Sequence, residues 1–365
     1  MTILRKAGQI ASLRGLQVRG FTIVEVMVSL TIGLLLMTGV VVIFQSATRS
    51  QNELEQSGAM VQNGSTAIRL LGNDIAHAGF YGQLYVMPVA ASSLPDPCSV
   101  LSVDIYPALA YAVQGFDAPV GSPLTCLLDG DFVAGTDILV LRRAGFDALS
   151  ATEKTISGWP YIQATSFLAE VQTGGGVTIG ADKNAQGAAT ALFRKDGSTA
   201  AEIRPMLVRI YFIAPCSLPA DGGTRCTGAA DDGGRPVPTL KMLELASTDP
   251  TWTITALVEG VEDMQIEYGV DSLPVSFNSA TGAPGDGVAD SYLTSPALAD
   301  WPNVVAIKVR LLARTSRLSS GHVDIKTYDM GQAGVRAAQK DGYKRHLFSG
   351  MFRLNNVAGR REIPQ

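Results

Sequence analysis

The stretch Arg19-Gly20-Phe21-Thr22-Ile23-Val24-Glu25 opens an apolar run that continues to Phe44. Glu25 is a lone acid at its head, and no charge follows from Val26 to Phe44. Phe21–Phe44 is 24 residues, about 36 Å of α-helix at a 1.5 Å rise, enough to cross a bilayer. A carboxylate at the centre of such a helix costs about 2.5–3.5 kcal/mol on insertion scales, and less near its end. Its presence implies that Glu25 has a partner or a task. An ordinary secretory signal is excluded, because the run is too long for a signal core and no small-x-small cleavage site closes it.

Upstream, the leader Met1–Gly20 carries Arg5, Lys6, Arg14 and Arg19 and no acid. This charge bias predicts a cytoplasmic leader and an exported remainder. Loss of the leader lowers the Lys+Arg count from 29 to 25 against 33 acids. A chain that acidic lacks the basic surface nucleic acid requires. Gly20-Phe21 offers a peptidase one clear bond. Cleavage there would leave a positive α-amine on Phe21, with Glu25 about 6 Å along the helix. In a helical stack, Glu25 of one subunit can meet the amine of its neighbour and fix the register, although desolvation offsets much of the attraction.

Downstream, the first proline is Pro88, so one helix can run from Phe21 to about Gly79. Residues 45–80 read as its amphipathic continuation. Leu54, Val61, Ile68 and Ile75 recur every seven residues with Leu71 beside them, a stripe expected to be core. Gly58, Gly64 and Gly72 interrupt it, each at a cost of up to about 1 kcal/mol relative to alanine.

From Tyr81 onward the pattern is β. Asp137–Arg142 and Leu207–Ile213 read as buried strands, and Gln265–Val270 alternates like a half-buried one. Val305, Ile307, Val309 and Leu311 share a face of another strand, with Lys308 and Arg310 on its wet side. Connections rich in glycine, aspartate and proline lie at Gly174–Gly176, Pro219–Pro238 and Asn278–Asp290. The region 81–365 is a β-rich globular domain with room for two β modules.

Cys98, Cys126, Cys216 and Cys226 all lie on the exported side, where oxidation is possible. Three connectivities exist. Local pairing, Cys98 with Cys126 and Cys216 with Cys226, is expected because local loops close most easily. His77, His322 and His346 are scattered, and no nucleophile elbow or phosphate loop occurs, so neither zinc nor catalysis is expected. Asp271, Asp286 and Asp290 could curl about calcium, but the loop is short of the acids a calcium site carries. A solvated turn is expected there, and no cofactor is assigned.

The N-terminal residues resemble the signal of type IV prepilins: Gly20, then Phe21-Thr22, then Glu25 before a long apolar run. The remainder resembles minor pilins of the PilW family in Asp137–Arg143, Pro238-Thr239-Leu240-Lys241 and Val258-Glu259-Gly260-Val261-Glu262. Ile266–Val270, Asp286–Tyr292, His346-Leu347-Phe348 and Arg353-Leu354-Asn355-Asn356 add to it. The resemblance implies an α+β, pilin-like fold, with a long N-terminal helix packed on a large antiparallel β-sheet domain. It implies cleavage between Gly20 and Phe21, N-methylation of Phe21 by the prepilin peptidase, and an assembly role for Glu25. Implied partners are other minor pilins, the major pilin, the inner-membrane assembly platform and a large tip adhesin. The implied function is priming of pilus assembly, with adhesion and twitching motility, first as a single-pass inner-membrane protein and then in a surface filament. The J-type pseudopilin of type II secretion shares the Glu-Gly-Val-Glu region and the C-terminal motif, and is the near alternative. A signal-anchored periplasmic receptor, with Gly20 uncut, is the other.

Overall fold

The structure is a computed structural model that describes residues 20–149, 156–174, 192, 194, 196, 199–245, 250–273 and 285–362. The leader up to Arg19, the glycine run 175–180 and residues 278–284 of the acidic loop lie outside the described residues. Two compact units divide the chain, one up to Glu55 and one from Gln56 onward.

Helix α1, Ile23–His77, contributes to both units. It ends where Gly79 adopts φ +75°, a left-handed turn that closes helices with little strain only in glycine. The terminal carbonyls are satisfied by a distant segment. The Asn356 amide donates to the carbonyls of His77 and Ala78 at 3.2 Å each, and Arg360 donates to that of Gly79 at 3.1 Å.

In the second unit, β1 (Val113–Phe116), β2 (Ile138–Ala144), β3 (Pro160–Ala164), β4 (Ala169–Thr173), β5 (Ile203–Ala214), β6 (Thr239–Leu245) and β7 (Trp252–Glu259) form one antiparallel sheet. The long β5 is its spine. Residues 206–211 pair with β2, while 203–205 pair with β3 and 210–214 with β6. A second antiparallel sheet contains β8 (Val261–Val270), β9 (Ser291–Leu293), β10 (Val304–Arg314) and β13 (Arg345–Arg353), in the order β13-β10-β8-β9. Between β10 and β13, a short hairpin of β11 (Tyr328–Asp329) and β12 (Val335–Arg336) is inserted. A short helix α2, Ser102–Ala108, interrupts the region that reads as β, and α3, Asn355–Arg361, follows the last strand.

One core joins α1 and both sheets. Ala67, Leu71 and Ile75 of the helix meet Leu139, Leu141, Tyr211 and Ile213 of the first sheet and Ile307, Val309 and Leu311 of the second. The two sheets therefore enclose a shared interior. The opposite face of the first sheet is covered by Leu124, Leu127 and Phe132, in the segment that carries Cys126. Two disulfides, Cys98–Cys126 and Cys216–Cys226, close loops of 28 and 10 residues' separation.

The helix contact corrects the sevenfold stripe. Leu54 and Val61 are exposed, whereas Met60, Gly64, Ala67, Leu71, Gly72 and Ile75 are buried. Small residues carry this face because Phe348 and Phe352 of β13 press into it. A Cβ on Gly64 would lie 2.1 Å from the Phe348 ring, and one on Gly72 would lie 2.2 Å from the Phe352 ring. The spacings match: eight residues of helix rise about 12 Å, and four residues of strand about 13 Å. The second correction concerns β8, which is buried on both faces. Of its polar residues, Asp263 meets Arg336 and Glu267 meets the Gln332 amide of the β11–β12 insertion and Arg310 of β10 at 2.5 Å, while the Gln265 amide donates to the Gly135 carbonyl at 3.0 Å. Lys308 and Arg310, expected on a wet face, are half-buried partners of Glu267.

Candidate assembly site

Gly20 and Phe21 are exposed at the head of α1. Thr22 starts the helix: its hydroxyl accepts the Glu25 amide at 3.2 Å, and its carbonyl accepts the Val26 amide at 3.1 Å. Thr22-Ile23-Val24-Glu25 thus has the residue types of a capping box, whose threonine half is formed. The Glu25 carboxylate is exposed and makes no hydrogen bond or ion pair among the described residues. It also lies in the first turn, where the helix dipole favours negative charge.

Beyond Glu25 the apolar side chains stand uncovered, from Val26 and Met27 to Ile43 and Phe44. This segment is long and apolar enough to cross a membrane, and none of it is buried. Its hydroxyls are satisfied internally. Ser29 donates to the Val26 carbonyl, Thr31 to that of Val28 and Thr38 to that of Leu34, at 2.8–2.9 Å. No side-chain hydroxyl here needs water, so the surface suits lipid or a bundle of like helices.

In the second unit, the end of α1 is held by an ion pair absent from the sequence reading. Asp74, buried, accepts from Arg209 at 3.0 Å and from the Tyr211 hydroxyl at 2.7 Å, and faces Arg143 at 3.4 Å. Burial and the Asp74 charge push the Tyr211 hydroxyl far up, so it remains a donor. An acid inside an otherwise small and apolar helix face was the available signal.

The calcium candidates are engaged by protein groups. Asp271 is fully buried and accepts from Arg361 at 2.8 Å and from the Gly287 amide at 2.9 Å. Asp290 accepts from both the amide and the hydroxyl of Ser272, and Asp286 from the Val288 amide. A guanidinium stands against Asp271 where a cation would be needed. Cys216, Cys226 and Asp231 also gather within 4.8 Å. Both sulfurs are in a disulfide, which leaves no thiolate to bind metal. His77 faces its own helix, with Nδ1 2.7 Å from the Asn73 carbonyl.

Residues 16–41 match the prokaryotic N-terminal methylation motif, and residues 227–356 match the type IV pilus-assembly protein W family. Over these two stretches the chain is similar to type IV pilin-like proteins of the PilW family. No curated protein and no solved structure matches it. The PilW model describes a pilus-assembly family, and the methylation motif together with the apolar helix supports membrane anchoring through α1. The PilW match begins just after Cys226 and runs through both β8 and β10 to the Asn356 cap, and the methylation motif covers the first half of α1 up to residue 41.

Proposed function

We propose that this protein is a minor pilin that primes type IV pilus assembly in a tip complex with other minor pilins, supporting adhesion and twitching motility. The observation that carries the reading is the uncovered apolar helix that begins just past Gly20-Phe21 with one unpartnered carboxylate. The prepilin peptidase would cut between Gly20 and Phe21 and methylate the new amine. Before assembly, α1 would anchor the chain in the inner membrane, with the leader cytoplasmic and the region from residue 81 periplasmic. Glu25 would then pair with the Phe21 amine of a neighbouring subunit, which fixes helix register in the filament. The major pilin, the assembly platform and a large tip adhesin are the proposed further partners.

Intact mass of the membrane-extracted protein, from cells with and without the peptidase, tests this reading. A mass starting at methylated Phe21, only where the peptidase is present, is expected. Full-length mass in both strains would remove it and leave a signal-anchored protein. Deletion of the gene should then abolish motility and surface pili; loss of exoprotein release instead would assign the chain to a secretion machine. In the Glu25→Ala variant, membrane insertion should persist while incorporation into pili falls by about tenfold, the equivalent of about 1.4 kcal/mol. Unchanged pilus number and motility would remove the assigned role of Glu25.

A further inference from the structure

Lys241 on β6 is 2% exposed, and its ammonium has no carboxylate in hydrogen-bond contact among the described residues. Nζ lies 3.8 Å from Cys216 Sγ, 3.7 Å from Cys226 Sγ and 3.4 Å from the Thr224 carbonyl. Two of its three N–H groups thus face disulfide sulfurs, which are weak acceptors. A thiolate at the same place would be a strong, charge-assisted acceptor. The arrangement fits the reduced state of this pair better than the oxidised one. Access differs across the bond, since Cys216 is fully buried and Cys226 is half-buried.

We infer that Cys216–Cys226 is a thiol-exchange site, opened at Cys226 by a dithiol reductant while Lys241 holds the Cys216 sulfur as the leaving thiolate. The reductant's thiolate attacks Cys226 Sγ and forms a mixed disulfide. The Cys216–Cys226 bond breaks, and its electron pair goes to Cys216 Sγ beside the ammonium. The reductant's second thiol then attacks its own sulfur in the mixed disulfide and releases Cys226. Two electrons pass to the protein, and the reductant leaves as its disulfide. One of its two protons ends on Cys226 and the other in solvent, so Cys216 stays a thiolate. A lower thiol pKa makes a better leaving group, which is the kinetic effect a neighbouring cation supplies.

Acidic groups surround the site, including Glu259, which accepts from the Ser217 hydroxyl at 2.8 Å. Burial pulls the Lys241 ammonium down, and Asp232, Asp131 and Asp231 oppose that and favour its charge. Asp231 lies within 4.8 Å of both sulfurs and works against a thiolate. Its oxygens are occupied by the amides of Ala220, Thr227 and Gly228 and by the Thr227 hydroxyl. Asp232 is turned to the amides of Ser217, Leu218 and Val237, and Asp131 is paired with Arg225. The ammonium is the only cation in contact with the sulfurs among the described residues. The partner class is a dithiol oxidoreductase or a small dithiol of the exported compartment.

Cys98–Cys126 is the internal control. Both its cysteines are half-buried, and no cation contacts its sulfurs among the described residues. Each disulfide thus offers a half-buried sulfur to attack, and accessibility alone gives Cys216–Cys226 no advantage. The test is native reduction of the detergent-solubilised full chain with dithiothreitol, trapped by alkylation and read by peptide mass. Reduction of Cys216–Cys226 should be about tenfold faster than that of Cys98–Cys126, the equivalent of about one pKa unit on the leaving thiol if the rate follows it directly. Lys241→Met should abolish that preference and Lys241→Arg should retain it. Equal rates in the unsubstituted chain, or an unchanged preference in Lys241→Met, would overturn the inference. Should Lys241→Met open the fold, both bonds will accelerate together, and the Cys226→Ser chain decides. There the Cys216 thiol, followed by thiolate absorbance, should titrate below the ordinary value of about 8.5; titration at or above it overturns the inference.

Discussion

Single residues in this chain do their work through what they leave unsatisfied or pair in the interior. Asp74 joins α1 to β2 and β5 through Arg143, Arg209 and Tyr211. Asp74→Ala leaves the buried Arg143 without its carboxylate, while Arg209 keeps Glu244, and should destabilise the second unit by about 3 kcal/mol, measured as a fall in the denaturant midpoint. Asp137 acts across the two sheets: its amide donates to the Met264 carbonyl, and its carboxylate accepts from the amides of Ile266 and Ala118. Burial pushes this carboxyl up to about 7 from its ordinary 3.8. Between those values the folded chain holds a proton that the unfolded chain has lost. Raising the pH from about 4 to about 7 therefore removes stability, and below about 4 this contribution is fully present. Thermal midpoints across that range should fall with pH at Asp137's contribution, and Asp137→Asn should flatten the slope.

At the scale of elements, α1 and β13 meet through an exchange of shapes. Gly64 and Gly72 receive Phe348 and Phe352, so helix propensity predicts the wrong sign for substitution there. Gly58 has nothing within 4 Å of an added Cβ. Gly58→Ala should stabilise the helix by up to about 1 kcal/mol. Gly64→Ala should instead cost about 1–3 kcal/mol by overpacking, and Phe348→Leu in the same chain should recover part of that cost. Thermal melts of the unsubstituted chain, Gly64→Ala, Phe348→Leu and the double variant give the coupling directly. The same contact explains why the sequence stripe had the wrong phase. Large apolar residues recur at Leu54, Val61, Ile68 and Ile75, and counting them favours a sevenfold repeat. The buried face includes Gly64, Ala67 and Gly72, whose value lies in being small opposite partners some 280 residues away. Central strands were legible, because β2, β5 and β10 carry continuous or alternating apolar residues. The burial of Asp263, Gln265 and Glu267 was not, since their cover comes from non-local segments. For the candidate site, Gly20, Phe21 and Glu25 stood out as a local motif, whereas Thr22 as a cap and Lys241 as a neighbour of two sulfurs needed the fold.

At the scale of the molecule, the second unit depends on covalent and ionic ties that hold loops over sheet faces. Cys98–Cys126 closes the longer loop, and its removal should cost about 3–4 kcal/mol by the loop-entropy model, against about 2.5–3 kcal/mol for Cys216–Cys226. Denaturant unfolding of the paired Cys→Ser variants checks both the size and the order. Arg345 gathers Glu262, Asp324 and Asp341 beneath the inserted hairpin. Arg345→Met should lower the melting temperature more than loss of either disulfide, because the buried Asp324 loses its counter-charge and Glu262 keeps only Arg314 at 3.7 Å.

The inward hydroxyls of Ser29, Thr31 and Thr38 bear on traffic rather than on folding. A helix whose polar groups are all bonded to itself can leave one oily medium for another without breaking a hydrogen bond. In the assembly proposed above, extraction from a bilayer into a shaft, and return on disassembly, would exchange only dispersion contacts of similar strength. The barrier in either direction would fall mainly on the Glu25 end, giving a subunit a reversible passage with a single charged latch.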